Sequence, residues 1–502
     1  MKDKRTIIFL SIIILLGGIL RFTKLDYQSL WNDELSSMSR IDVSSLSEVI
    51  EASKSDVHPP FYYCLLYLWQ NMFGNSPFSV RFLSALLGTL SILAIFFLGR
   101  ILYSEQEALI SALILSISFF GIYYSQEVRS YSLLLLLSIC SYLFFIKIHP
   151  QFKAYKSQGD KSQRNPSQRN LSQGNLSQGN LIFSYILYVL FTTLLIYTHY
   201  FGILVLFSQF IFILLSYFLR RRQNGSLKIL LSQFMIFLLY LPQISIMRAK
   251  MHIAETWITT PHFDFFIQYF NEYHGRDEAF FLVAALCIFC FFYFWKCDKE
   301  KNPEQDLNRF LLIVVWVVTP LVVAYARSIF STPVLTDRNT IIVLPPLILM
   351  MARGIMNIKN RDVSIALIAA ILIAGFYSLF VTNDYYYRIT KDQFREVANV
   401  VLENKDISDQ SLIIACTWNS DYFDYYFKQA NSPFRVSGIY ENMEDIPKLE
   451  ALVRGSQKKF LWYLIGHKQV SQEILHYLEN HYKLLGTSQF KKSSFFVFAL
   501  ER

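Results

Sequence analysis

Charge is scarce in this sequence. Only 17% of its 502 residues are Asp, Glu, Lys or Arg, while 53% are hydrophobic; soluble globular domains carry about 25% charge, so that class is excluded. Cysteine is sparse too, at six residues: Cys64, Cys140, Cys287, Cys290, Cys297 and Cys416. Cys287 and Cys290 form a CxxC inside an apolar run, with no second pair to complete a zinc array, so the cysteines read as small buried hydrophobes. The net charge of +9 falls in short loops between apolar runs, where it sets membrane orientation and does not point to nucleic acid.

Long apolar runs are what the chain has in abundance. A spanning helix needs about 20 apolar residues, and residues 6–22, 82–102, 108–124, 131–148, 182–198, 201–219, 227–247, 279–295, 310–330, 338–356 and 363–382 qualify or nearly do. The first run lacks a small-x-small cleavage site before Arg21 and reads as a retained signal anchor. Lys and Arg cluster in alternate loops, among them Arg220, Arg221, Arg222, Lys296 and Arg361. This predicts a multi-pass protein of the cytoplasmic (inner) membrane, with its N-terminus cytoplasmic and the chain after 383 extracytoplasmic. Within 149–180, the units SQRNP, SQRNL, SQGNL and SQGNL are too polar to bury a core and read as a disordered cytoplasmic insert.

Two regions differ from the spans. The first outer loop, 23–81, should form short interfacial helices. From 384 to 502, short apolar stretches at Ser411–Cys416, Lys459–Ile465 and Ser494–Leu500 alternate with amphipathic stretches at Gln393–Glu403 and Ser471–His481. That pattern predicts a small extracytoplasmic α/β domain following a membrane domain at 1–383.

Ionisable residues at span ends are functional candidates, and the predicted topology collects four groups at the outer face. Trp31-Asn32-Asp33-Glu34 offers two carboxylates, read either as a base with a partner or as a helix cap. His58-Pro59-Pro60-Phe61-Tyr62-Tyr63 opens a helix at Pro-Pro, with His58 in front of it able to meet a phosphate or a metal. Tyr123-Tyr124-Ser125-Gln126-Glu127-Val128-Arg129-Ser130-Tyr131 contains a polar link of only a few residues that holds Glu127 and Arg129 at the bilayer boundary; a salt bridge closing a helical hairpin is the plain alternative. His199-Tyr200 and Asp337-Arg338-Asn339 form the last group. The planar fork of Arg338 suits phosphate, and snorkelling to headgroups is its plain alternative.

Taken together, W-x-D-E, H-P-P-x-Y-Y, Y-S-Q-E-x-R-x-Y, T-H-Y-F-G and R-x-x-x-x-x-x-P-P, in this order over residues 1–385, resemble the bacterial lipid-linked-sugar glycosyltransferases. That family is related to protein O-mannosyltransferases and lipid A aminoarabinose transferases and has the GT-C fold. The resemblance implies a polytopic α-helical membrane glycosyltransferase of about 11 spans. It implies Asp33 as catalytic base, Glu127 in the catalytic set, and Glu34, His58, Gln126, Arg129, Tyr131, His199, Tyr200 and Arg338 around the substrates. Ser130 and Asn339 depart from the family, where Met and Tyr are commoner.

The implied donor is a polyprenyl-phosphate sugar, and the acceptor an envelope glycan, lipid or protein. Attack by the acceptor hydroxyl would invert the anomeric carbon. No cofactor is implied for certain, and a divalent metal has room in the scheme. Two rival classes would show other features. A flippase or transporter of lipid-linked glycan would place charged or broken helices at the bilayer midplane and repeat its halves. An O-antigen-ligase-like enzyme would carry its dominant outer loop late in the chain.

Overall fold

The computed structural model describes residues 4–150, 152, 174–219, 226–251, 258–295 and 303–500. Most of the repeat insert expected at 149–180 lies outside them. Its last residues are an exception, because they form the first turns of helix Gly174–Thr198. Residues 174–180 are therefore helical where disorder was expected: adding turns to an existing apolar helix avoids the cost of a new nucleus.

Among the described residues nine helices are long and apolar enough to cross a membrane, and two bent pairs bring the number to eleven. The protein is a multi-span membrane protein. Its membrane part opens with α1 (Lys4–Phe22), followed in the loop of residues 23–76 by the short helices α2 (Asn32–Ile41), α3 (Leu46–Ser53) and α4 (Phe61–Phe73). Next come α5 (Pro77–Leu102), α6 (Glu105–Ile117), α7 (Phe119–Ser125) and α8 (Tyr131–Ile148).

The third expected span is broken. Between α6 and α7 the axis bends by 58°, because Ser118 leaves the helix and its side chain caps the next turn by accepting from the Gly121 N–H at 3.2 Å. Such a break strands carbonyls that cannot stay bare in lipid. Arg21, at the end of α1, donates to Leu115 O at 2.8 Å and to Ser116 O at 2.9 Å, using a guanidinium wholly buried for that purpose.

The segment before the last helices is shaped by proline. Arg338–Val343 is a tight 3₁₀ turn that runs into helix Leu344–Met356, with Pro345 and Pro346 in the first helical turn. Their missing N–H groups fall where a helix needs none. The turn leaves Arg338 at the end of a span and close to the loop after α1.

After Thr382 the chain builds a four-stranded sheet from β1 (Ser411–Cys416), β2 (Phe460–Gly466), β3 (Lys483–Phe490) and β4 (Ser493–Ala499), in the order β1-β2-β4-β3. β1 and β2 are parallel, and β4 is antiparallel to both β2 and β3. Side-chain alternation divides the sheet. Ile413, Ala415, Trp462, Leu464, Phe495 and Val497 join the core shared with the membrane helices. On the opposite face, Leu412, Ile414, Leu461, Tyr463, Ile465 and Phe498 make a second core with Leu449 and Leu478.

The first core continues across the junction, and polar contacts fix it there. Arg395 donates to Asp26 O at 2.8 Å and Tyr27 O at 2.6 Å, and the Leu30 N–H donates to Tyr426 Oη at 2.7 Å. The sheet domain thus rests on the start of the loop after α1, next to α2.

Candidate active site

Helix α2 begins at Asn32, so its first turn presents Asp33 and Glu34 on different sides. Neither is the cap. The Asn32 N–H donates to the Asp392 carboxylate at 3.3 Å, and Glu34 reaches back to accept from the Trp31 N–H at 3.3 Å. This frees the Asp33 side chain from capping.

Asp33 meets arginine. Arg338 Nη1 donates to its Oδ2 at 2.6 Å, and Asn32 Nδ2 donates to Oδ1 at 3.3 Å. Arg129 reaches the same turn of helix, donating to the Asp33 carbonyl and to Ser37 Oγ, each at 3.3 Å. Burial alone would raise the carboxyl of Asp33, but Arg129 and Arg338 outweigh it and hold the group below its usual value.

Two imidazoles close the cluster. Arg129 Nη2 lies 2.9 Å from His58 Nε2; arginine only donates, so that nitrogen accepts and the His58 proton sits on Nδ1. Burial, then Arg129, pushes His58 down to about 4, which keeps it neutral at physiological pH. His199 packs beside it with ring centroids 4.7 Å apart. Its Nδ1 accepts from the Phe201 N–H at 3.1 Å, leaving Nε2 as the protonated nitrogen, and burial lowers its basicity well below the ordinary. Tyr131 completes the wall, its ring 6.5 Å from His58 and 6.2 Å from His199.

Arg129 and Arg338 both act on Asp33, and the neutral imidazoles add no charge. Nearby Asp56 pairs with Arg40 at 3.1 Å and also feels Arg129. Asp337, whose carboxylate accepts from Tyr124 Oη at 3.4 Å, precedes Arg338 in the chain. An anion entering this low-dielectric site would meet two guanidinium groups.

Glu127 stands apart. It is 1% exposed, and neither carboxylate oxygen has a hydrogen-bond partner among the described residues. Its nearest cation is Lys391 Nζ, 3.9 Å away. Burial lifts it to about 7, and Lys391 only partly offsets that. The hairpin-closing pair between Glu127 and Arg129 that the sequence allowed does not form, because Arg129 turns instead toward α2 and His58. As for a metal, no group of three or more His, Cys, Asp or Glu side chains among the described residues could hold one.

This geometry can be set beside known proteins. Residues 57–156 match the sequence model of the dolichyl-phosphate-mannose-protein mannosyltransferases. No curated protein sequence matches the chain. Among solved structures, the fold is similar to ArnT from Cupriavidus metallidurans in the apo state, with a TM-score of 0.66 at 11% identity over 98% of this chain and 97% of that one. ArnT bound to undecaprenyl phosphate is similar at TM-score 0.63 and 11% identity, over 99% of this chain and 98% of that one. The oligosaccharyltransferase AglB from Archaeoglobus fulgidus, in complex with an inhibitory peptide and a dolichol-phosphate, matches at TM-score 0.56 and 12% identity, over 100% of this chain and 75% of that one. The chain has the GT-C glycosyltransferase fold.

Within this GT-C chain the structure brings together Asp33, His58, Arg129, Tyr131, His199 and Arg338. Three other expected residues lie elsewhere. Gln126 points its amide at the end of α1, donating to Arg21 O at 2.9 Å and Thr23 O at 2.8 Å. Glu34 is wholly buried and takes Arg81 at 2.8 and 2.6 Å, Lys391 at 3.1 Å and the Val128 N–H at 3.0 Å. Although burial opposes it, Arg81 and then Lys391 hold Glu34 at about 2, so it works as an internal anchor. Tyr200 is half-buried, and the contacts joining the cluster do not include it.

Sequence reasoning missed Arg81, Asp56 and Lys391. Arg81 carried the only available signal, a charge at the start of an apolar run. Nothing in Thr390-Lys391-Asp392 distinguishes that lysine from a surface residue.

Proposed function

We propose that this GT-C glycosyltransferase moves a sugar from a polyprenyl-phosphate donor to an envelope glycan, lipid or protein acceptor, at the outer face of the cytoplasmic membrane and with inversion. The observation that carries the reading is the convergence of Arg129 and Arg338, from distant segments, on the turn of α2 that holds Asp33. ArnT with undecaprenyl phosphate and AglB with a dolichol-phosphate support a lipid phosphate as the donor's carrier.

A phosphate is a good leaving group, so the reaction asks for a base and a cation and not for an acid. Asp33 takes the proton of the acceptor hydroxyl as that oxygen bonds to the anomeric carbon. The bond from the anomeric carbon to the phosphate oxygen breaks, and its electron pair leaves with the phosphate. Arg129 and Arg338 stabilise that growing charge. Arriving phosphate also competes with Asp33 for Arg338. Each share of the guanidinium it takes loosens the hold on Asp33 and makes the carboxylate a stronger base. Neutral His58 and His199 line the same wall; the His58 proton is engaged by the Val57 backbone, and the Nε2–H of His199 is the donor suited to a sugar hydroxyl.

Mass spectrometry of envelope lipids and glycoconjugates, from cells with the gene, without it, and with Asp33→Asn in its place, tests the proposal. One glycoform should be present only with the wild-type gene. Identical spectra from all three strains would refute it.

A further inference from the structure

Lys391 belongs to no motif, and its position follows from how the chain leaves the membrane. After Thr382 the backbone turns back over the loop after α1, where Gln28 Oε1 accepts from the N–H groups of Thr390 and Lys391 at 2.8 and 3.0 Å. Pinned in this way, the Lys391 side chain points inward and is 7% exposed.

Its ammonium joins two elements. Nζ donates to Glu34 Oε2 on α2 and to Gln126 O in the link before α8, both at 3.1 Å, and lies 3.9 Å from Glu127 Oε1. The two elements it ties also carry reacting groups. Asp33 adjoins Glu34 on α2, and Arg129 is in the same short link as Gln126 and Glu127. Glu34 is already matched in charge by Arg81, so the lysine's charge is the one available to Glu127.

We propose that Lys391 is a positioning residue of the transfer site: by bridging α2 to the 126–130 link it fixes the spacing of Asp33 and Arg129. This rests on the roles given above to Asp33 and Arg129. The consequence is a site completed by the segment that leads into the sheet domain, not by the membrane helices alone.

The test compares three full-length variants, each the sole copy in cells and each also purified into nanodiscs. Lys391→Met keeps the length and removes the charge. Arg395→Ala cuts docking contacts on the same segment, to Asp26 O and Tyr27 O, without touching the site. Lys391→Arg keeps the charge. Lys391→Met should lower turnover at least about tenfold, since small misplacements of reacting groups are costly. Its affinity for a polyprenyl phosphate should stay within about threefold, because Arg338 is held by a different element. Arg395→Ala should lose thermal stability while keeping turnover, and Lys391→Arg should recover part of the rate.

Lys391→Met with wild-type turnover overturns the proposal. So does an Arg395→Ala protein equally slow at equal loading, which would reduce the lysine to a docking contact. Should Lys391→Met not fold, a folded Lys391→Arg with no activity overturns it too. Wild-type cells lacking any gene-dependent glycoform would instead remove the transfer reading itself, which keeps the two failures distinct.

Discussion

Arg338 and Asp33 lie 305 residues apart in the chain, and their side chains meet at 2.6 Å. The proposed base and the proposed phosphate-binding cation therefore neutralise each other. This pairing turns the role of Asp33 into a measurable competition. Asp33→Asn keeps the shape but removes the negative charge that competes for Arg338, so the variant should bind a polyprenyl phosphate at least as tightly as wild type while turnover drops by about 10²–10⁴-fold. Titration of purified protein and single-turnover rates decide it. A large loss of lipid-phosphate affinity would show that Asp33 serves to hold Arg338 in place.

Arg338→Ala should behave differently. A guanidinium that binds phosphate acts before and during transfer, so donor affinity and turnover should fall together. The same titration checks this. Unchanged affinity would place the phosphate on Arg129 alone.

Glu34 and Asp33 are neighbours that sequence could not rank. Both read as candidate site carboxylates, and the W-x-D-E pattern gives no sign that Glu34 turns inward. What separates them is Arg81 and Lys391, one 47 and the other 357 residues away along the chain. Long-range pairing of this kind leaves no periodic trace. Apolar runs do, which is why eleven spans were legible, while the break at Ser118 was not: it depends on Arg21 meeting the freed carbonyls. The edge strand β3 also escaped, since its partly exposed residues carry no continuous apolar run, unlike β1, β2 and β4.

Because Glu34 anchors buried cations, Glu34→Gln should cost stability before it costs chemistry. Breaking one side of a buried pair typically destabilises by about 3–5 kcal/mol. Thermal unfolding in detergent should show a clear drop in Tm. A variant of wild-type stability with weakened substrate binding would return Glu34 to the substrate-contacting set.

Glu127 makes a prediction in pH. Its carboxyl is raised to about 7 from an ordinary 4.5, by burial first and with Lys391 opposing, while Glu34 and Asp33 add to the rise and Arg338 offsets part of it. Between those two values the folded chain keeps a proton that the unfolded chain releases. This group's contribution to stability is therefore full below the lower value and is lost as pH rises through about 7. Glu127→Gln should flatten that part of the stability curve and gain Tm relative to wild type above neutrality. Parallel curves for the two proteins from pH 5 to 8 would contradict the buried, proton-holding state.

Orientation gives the last prediction. The reaction is placed on the outer face because basic loops alternate with the loops that hold the candidate site, and the sheet domain is fixed to that same side by Arg395 and Tyr426. A probe must therefore sit on the sheet domain without disturbing it. Trp418 follows β1 and is 63% exposed, whereas Cys416, two residues before it, is 2% exposed. Trp418→Cys should react with a membrane-impermeant thiol reagent in intact spheroplasts, and the unmodified chain should give the background from its own cysteines. Labelling that appears only after permeabilisation would put the sheet domain, and with it Asp33 and Arg338, on the cytoplasmic side. The donor would then have to present its phosphate from the inner leaflet.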